Sequence, residues 1–178
     1  SVYYFDIALA TAEQSNNAAV KFMTLHGLGH LYYKQSEFQK SIDYSLKALE
    51  EARKQSNRTN EPEILNTLSS SYYSIGNAPQ AIEFAKISIQ LSDSLGFDNE
   101  RAIAYENLSK AYMLAGDYKK ALEAHQKFYQ YQSEIINQQK NETIAELRTK
   151  YETEKIEAEK VLAENRVELA ESESQRNM

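Results

Sequence analysis

Leu68-Ser-Ser-Ser-Tyr72-Tyr-Ser-Ile-Gly76-Asn-Ala-Pro-Gln-Ala81-Ile82 and Leu108-Ser-Lys-Ala-Tyr112-Met-Leu-Ala-Gly116-Asp-Tyr-Lys-Lys-Ala121-Leu122 carry one pattern twice, 40 residues apart. A third copy precedes them: Leu28 and Tyr32 fall in register, followed by Ser36 at the glycine position and by Ser41 and Ile42. One step further back, Ser1, Val2, Phe5, Ala8 and Leu9 stand opposite Ser41, Ile42, Ser45, Ala48 and Leu49, so the chain opens inside a repeat. Self-similarity at such a period is the signature of a repeat architecture. Within each period two stretches carry apolar residues at three- and four-residue steps, Leu25, Leu28 and Tyr32 in the first, Ile42, Leu46 and Leu49 in the second. That spacing lines one face of a helix. Between them lie short reversals, Gln35-Ser36-Glu37, Gly76-Asn77-Ala78 and Gly116-Asp117-Tyr118, and Pro79 sits where a helix begins and its missing N–H costs nothing. Small residues at 41, 81 and 121 suit two helices that cross at close range. Helices are predicted near 1–14, 18–35, 38–57, 62–75, 78–95 and 98–115, with a last one from about 118.

The composition agrees with an all-α chain. Five Gly and two Pro in 178 residues are too few for the turns of a multi-stranded sheet. A net charge of −6 argues against nucleic acid as partner, because phosphate neutralisation needs a basic face. No apolar run approaches the roughly 20 residues that span a bilayer. Cysteine is absent, which removes disulfides, thiolate metal sites and Cys nucleophiles together.

Leu25-x-x-Leu28-Gly29-x-x-Tyr32, and Gly116-Asp117-Tyr118 leading into Ala121-Leu122, resemble the tetratricopeptide repeat, a helix–turn–helix unit. The resemblance covers residues 1–129 as a half repeat plus three repeats, and it implies an α-solenoid in which helix pairs stack into a right-handed superhelix. The period of 40 exceeds the usual 34, and Ser69 and Ser109 replace a consensus glycine. Ser45, Ala85 and His125 stand where a large aromatic is usual in that family.

Residues 130–178 are a different object. After Gly116 neither Gly nor Pro occurs, so one continuous helix is expected, about 85–90 Å long from Tyr118 to Gln175 at 1.5 Å per residue. Ile144, Leu147, Tyr151, Ala158, Val161 and Asn165 fit a heptad whose slots at Glu154 and Glu168 are spoiled. This reads as a weak coiled coil with a register-setting Asn, hence a homodimer through the C-terminal helix; the alternative is a solvated single helix. Glu146/Lys150, Arg148/Glu152, Lys150/Glu154 and Lys155/Glu159 are opposite charges four apart that support an exposed helix. The segment Ile144-Ala-Glu-Leu-Arg-Thr-Lys-Tyr151-Glu-Thr-Glu-Lys155, following long-period repeats, looks like the juxtamembrane helix of bacterial sensor histidine kinases that carry tetratricopeptide repeats. That resemblance implies a periplasmic or otherwise extracytoplasmic sensor region of a membrane-anchored two-component protein; the alternative is a cytoplasmic location.

Catalytic motifs are missing: there is no Gly-x-Gly-x-x-Gly, phosphate-binding loop, Gly-x-Ser-x-Gly or His-Glu-x-x-His, and no His is followed by the acidic residue of a phosphoacceptor box. His26 and His30, four apart on one helix, have metal-ligand spacing but no evident third ligand, so neither a metal nor a cofactor is expected. Asn57-Arg-Thr59, Asn107-Leu-Ser109 and Asn141-Glu-Thr143 match the glycosylation triplet, but Asn107 adjoins core Leu108, a poor place for a glycan. The first helices leave one face over once the core stripe is assigned. It carries Met23, His26, His30 and Tyr33 in the first complete repeat, Glu63, Asn66, Ser70 and Tyr73 in the second, and Ile103, Glu106, Lys110 and Met113 in the third. By the resemblance this face is the concave groove, and its mixture of amides, rings and Met suits a protein or an extended peptide. Two readings of the whole follow. One is a non-catalytic sensor region whose C-terminal helix carries the signal, and the other a stand-alone scaffold or adaptor that oligomerises through its tail.

Overall fold

A computed structural model describes residues 2–14, 17–54 and 58–176. Ser1, residues 55–57 with the Asn57 triplet and the expected end of the third helix, and the side chains of Val2, Ala8 and Glu168 lie outside the described residues. Among the described residues there is no strand. The helices are α1 Val2–Gln14, α2 Ala18–Lys34, α3 Phe38–Lys54, α4 Glu61–Ser74, α5 Ala78–Leu95, α6 Asp98–Leu114 and α7 Tyr118–Arg176. One element was not expected, a single 3-10 turn at Arg58–Asn60 that leads into Pro62 in the first turn of α4. Residues 1–133 form one compact unit and 134–178 a second, and α7 contributes to both.

In the first unit each helix packs on its chain neighbours, and α4 packs in addition on α2 and α6, so the first helices of the pairs form one layer. The reversals inside the pairs are closed identically three times. Glu37, Asn77 and Asp117 donate their backbone N–H to the carbonyls of Tyr32, Tyr72 and Tyr112, and the preceding N–H reaches the carbonyls of Tyr33, Tyr73 and Met113. This double closure needs a left-handed residue at the C-terminal cap, here Ser36, Gly76 and Gly116 with φ of 60°, 80° and 78°. Asn77 and Asp117 then accept from the N–H groups of Gln80 and Lys120 and start the next helix.

The small residues at the crossings do more than make room. Ser69 Oγ donates to the Ala81 carbonyl at 2.8 Å and Ser109 Oγ to the Ala121 carbonyl at 2.9 Å, so serine replaces glycine with a hydroxyl that satisfies the facing backbone. In the first pair the arrangement is reversed: Ser41 on α3 donates to the Gly29 carbonyl at 2.8 Å. A side chain on Gly29 would run into Ser45, which explains both the glycine and the absence of an aromatic at 45.

Two buried clusters follow the repeats. Phe22, Leu25, Ile42, Ala48 and Leu49 meet Ile64, Leu65 and Leu68 of the next pair, and Ala85 and Ile89 meet Ala104, Leu108 and Ala124. Three positions of the repeat are less buried than their place in the pattern implies. Leu46 lies exposed at 40%, because the buried stripe of α3 runs through Ile42, Ser45, Ala48, Leu49 and Ala52 instead. Leu122 is 58% exposed, whereas Ile42 at the same repeat position is buried against the pair that follows it. Tyr32 is buried, but Tyr72 and Tyr112 are only half-buried. Tyr72 stacks on Phe84 as Tyr32 stacks on Tyr44, with ring centres 5.4 and 5.3 Å apart, while the partner position for Tyr112 holds Ala124.

Candidate functional site

The layer of first helices presents a groove of about 280 Å3 lined by His30 and Tyr33 from α2, Glu63, Asn66, Thr67 and Ser70 from α4, and Glu100 and Ile103 from α6. Three successive helices reach one groove because residues three and four apart on a helix share a face. A chain of amide and hydroxyl bonds fixes its floor. Asn66 Nδ2 donates to the Glu100 carbonyl at 2.9 Å, Asn107 Nδ2 donates to the Asn66 carbonyl at 3.2 Å, and Ser70 Oγ donates to Asn107 Oδ1 at 3.0 Å. The first of these bonds settles which end of the Asn66 amide faces α6. Its Oδ1 is buried and has no hydrogen-bond partner in the described structure. A buried acceptor left unpaired is costly to the fold.

His26 lies beside the groove, stacked on Phe22 with ring centres 6.0 Å apart. Burial holds its imidazole below the ordinary 6.5, and the positive charge of a protonated His30 would lower it further. The Glu63 carboxylate, 3.7 Å from Nε2, pulls the other way without reaching hydrogen-bond distance. The ring is therefore neutral near pH 7. Among the described residues no group of three His, Cys, Asp or Glu side chains is placed to hold a metal ion.

Of the twelve groove residues read from the sequence, His30, Tyr33, Glu63, Asn66, Ser70 and Ile103 line this one groove, with His26 beside it. Met23, Tyr73 and Met113 are exposed on the same helices and do not line it, and Glu106 and Lys110 pair with each other at 2.7 Å. Asn107 was missed. Its signal lay in the repeat itself, since that position holds Gly27, Thr67 and Asn107 and is apolar in none of the three. Asn107 is also buried, and Ser109 is committed to the Ala121 carbonyl, so this triplet offers no room for a glycan. On α7, Ile144, Leu147, Tyr151, Ala158, Val161 and Asn165 are all exposed. No described helix is long and apolar enough to cross a membrane.

Residues 20–94 and 60–134 match the tetratricopeptide repeat family. No curated protein gave a significant sequence match. Among solved structures the fold resembles that of BtubC (BKLC) from P. vanneervenii, at 16% identity and a TM-score of 0.68 over 75% of this chain and 56% of the other. It also resembles the TPR domain of Arabidopsis FLU, at 20% identity and a TM-score of 0.62 over 65% of this chain and 98% of the other. The chain thus spans little more than half the length of the first of these proteins. Tetratricopeptide arrays use their concave layer for protein–protein interaction and are typically non-catalytic. With helix pairs closed by one recurring turn and a family match that runs from residue 20 to residue 134, the chain belongs to the tetratricopeptide repeat family.

Proposed function

We propose that this chain is the partner-binding, non-catalytic sensor region of a signalling protein of the two-component type, and that the groove across α2, α4 and α6 takes an extended peptide segment of its partner. The observation that carries the binding half is the groove itself, in which Tyr33 and Ile103 stand beside the polar side chains of His30, Asn66 and Ser70. The polar side chains meet the peptide backbone, and the ring and the aliphatic side chain cover the peptide's own apolar side chains. Selection from a random peptide library on the full chain tests it. Enriched peptides should lose binding to Tyr33→Ala and Ile103→Arg proteins that keep the parent's helical signal, and binding unaffected by both substitutions would overturn the reading.

The signalling half rests on the continuity of α7, which begins as the second helix of the third pair and runs on to Arg176. Groove occupancy then biases how the distal helix pairs with a second chain through Ile144, Leu147, Tyr151, Ala158, Val161 and Asn165. An extracytoplasmic location under a membrane anchor belongs to this reading. The alternative, a free-standing scaffold or adaptor, shares the groove and the self-association but has no output. Reading the gene on either side of these residues separates the two: an apolar run of about 20 residues after Met178 favours the sensor.

A further inference from the structure

The third helix pair ends in an apolar face that nothing in the described structure covers. Tyr118, Leu122 and Tyr129, on one face of α7, are 73, 58 and 58% exposed. The repeat makes the defect legible. Ile42 and Leu49 on α3, at the positions of Leu122 and Tyr129, are buried because Leu65 and Leu68 of the next first helix, α4, pack over them. Ile82 and Ile89 on α5 join Leu108 of α6 in the same way. What the end face lacks is a helix with the spacing Leu-x-x-Leu-x-x-x-Tyr.

The chain contains that spacing a fourth time. Leu25, Leu28 and Tyr32, then Leu65, Leu68 and Tyr72, then Tyr105, Leu108 and Tyr112 are followed 39 residues later by Ile144, Leu147 and Tyr151. These three are 49, 61 and 67% exposed. They lie within α7, and a helix that continues unbroken to Arg176 does not double back onto its own beginning. We propose that Ile144, Leu147 and Tyr151 of a second copy of this chain dock on the end face formed by Tyr118, Leu122 and Tyr129, completing the array as a fourth first helix supplied in exchange. Lys150 stands where Ser71 and Ala111 allow close approach, so the exchanged helix seats by its Ile-Leu-Tyr edge alone and the dimer is reversible.

This inference rests on the self-association put forward above and replaces side-by-side pairing at residues 144–151 with reciprocal docking. Because the chain has no cysteine, single introduced thiols report contacts without background. Full-length Leu147→Cys and Gln126→Cys chains, mixed and oxidised, should give a cross-linked heterodimer, while each variant alone gives little. In sedimentation at rising concentration, Leu122→Arg should abolish the dimer as completely as Leu147→Glu does, although residue 122 is far from the tail in sequence. Leu147→Cys chains that cross-link to each other, with Leu122→Arg dimers intact, overturn the exchange but leave tail-to-tail pairing standing. A monomer at every concentration overturns both. A Gln126→Cys/Leu147→Cys chain that closes within a monomer overturns the need for a second copy. Leu122 and Gln126 are both exposed, so neither substitution touches the core.

Discussion

Ser36 is a residue in a conformation that suits another. Its φ of 60° repeats the left-handed cap that Gly76 and Gly116 adopt at no cost, and a side chain there is strained. Ser36→Gly is therefore expected to stabilise the protein by about 0.5–1 kcal/mol, read as a higher denaturation midpoint, less whatever the freer unfolded chain takes back. His26 behaves oppositely with pH. Its folded-state value lies below the unfolded one, so the unfolded chain takes up the proton first, and the associated stability is complete above the unfolded value and is lost as pH falls toward the folded one. Thermal unfolding between about pH 7.5 and pH 5.5 should show a larger loss for the parent than for His26→Gln, and parallel curves would exclude burial of the ring as the cause.

The helix pair is the scale at which the sequence was most informative. The 40-residue recurrence of Leu, Tyr, a turn residue and a small residue placed every helix, because each of those types answers a local demand: core stripe, stacking, reversal and crossing. The second-helix stripes were read less well. Leu46 looked like core by spacing, yet the contact side of α3 is built from Ser45, Ala48 and Ala52, small residues that carry no apolar signal and are buried because the helices come close. The same closeness makes Ala81 intolerant of bulk, since it is fully buried and its carbonyl accepts from Ser69. Ala81→Leu should cost about 1–3 kcal/mol through overpacking and the disturbed hydroxyl bond, and an unchanged melting temperature would show that the crossing can open freely. The groove was half legible. Periodicity put six of its residues on one wall, but the Asn66–Asn107–Ser70 chain is a contact between pairs, and one repeat read by itself holds no trace of it.

Across the whole molecule, protection is distributed by neighbours. In a repeat array each pair is held only by those beside it, so the second pair, with helices packed on both sides, is the best-secured part of the first unit. From Ile136 to Arg166 every described side chain is exposed, and the helix there is supported by local pairs such as Lys150 with Glu154 and Lys155 with Glu159, both at 3.9 Å. Such pairs add only a few tenths of a kcal/mol each, so opening in this stretch costs far less than global unfolding. Hydrogen exchange on a dilute sample should accordingly show α4 and α5 as the slowest amides and residues 140–166 as faster by orders of magnitude. Raising the protein concentration separates the ways α7 can behave. A lone solvated helix keeps its rates, and a coiled coil slows the whole stretch from Ile144 to Asn165. Docking on a second copy's end face slows residues 144–151 together with Leu122 and Tyr129 and leaves Val161 and Asn165 as they were, because only in that arrangement do the tail of one chain and the third pair of another become buried in the same step.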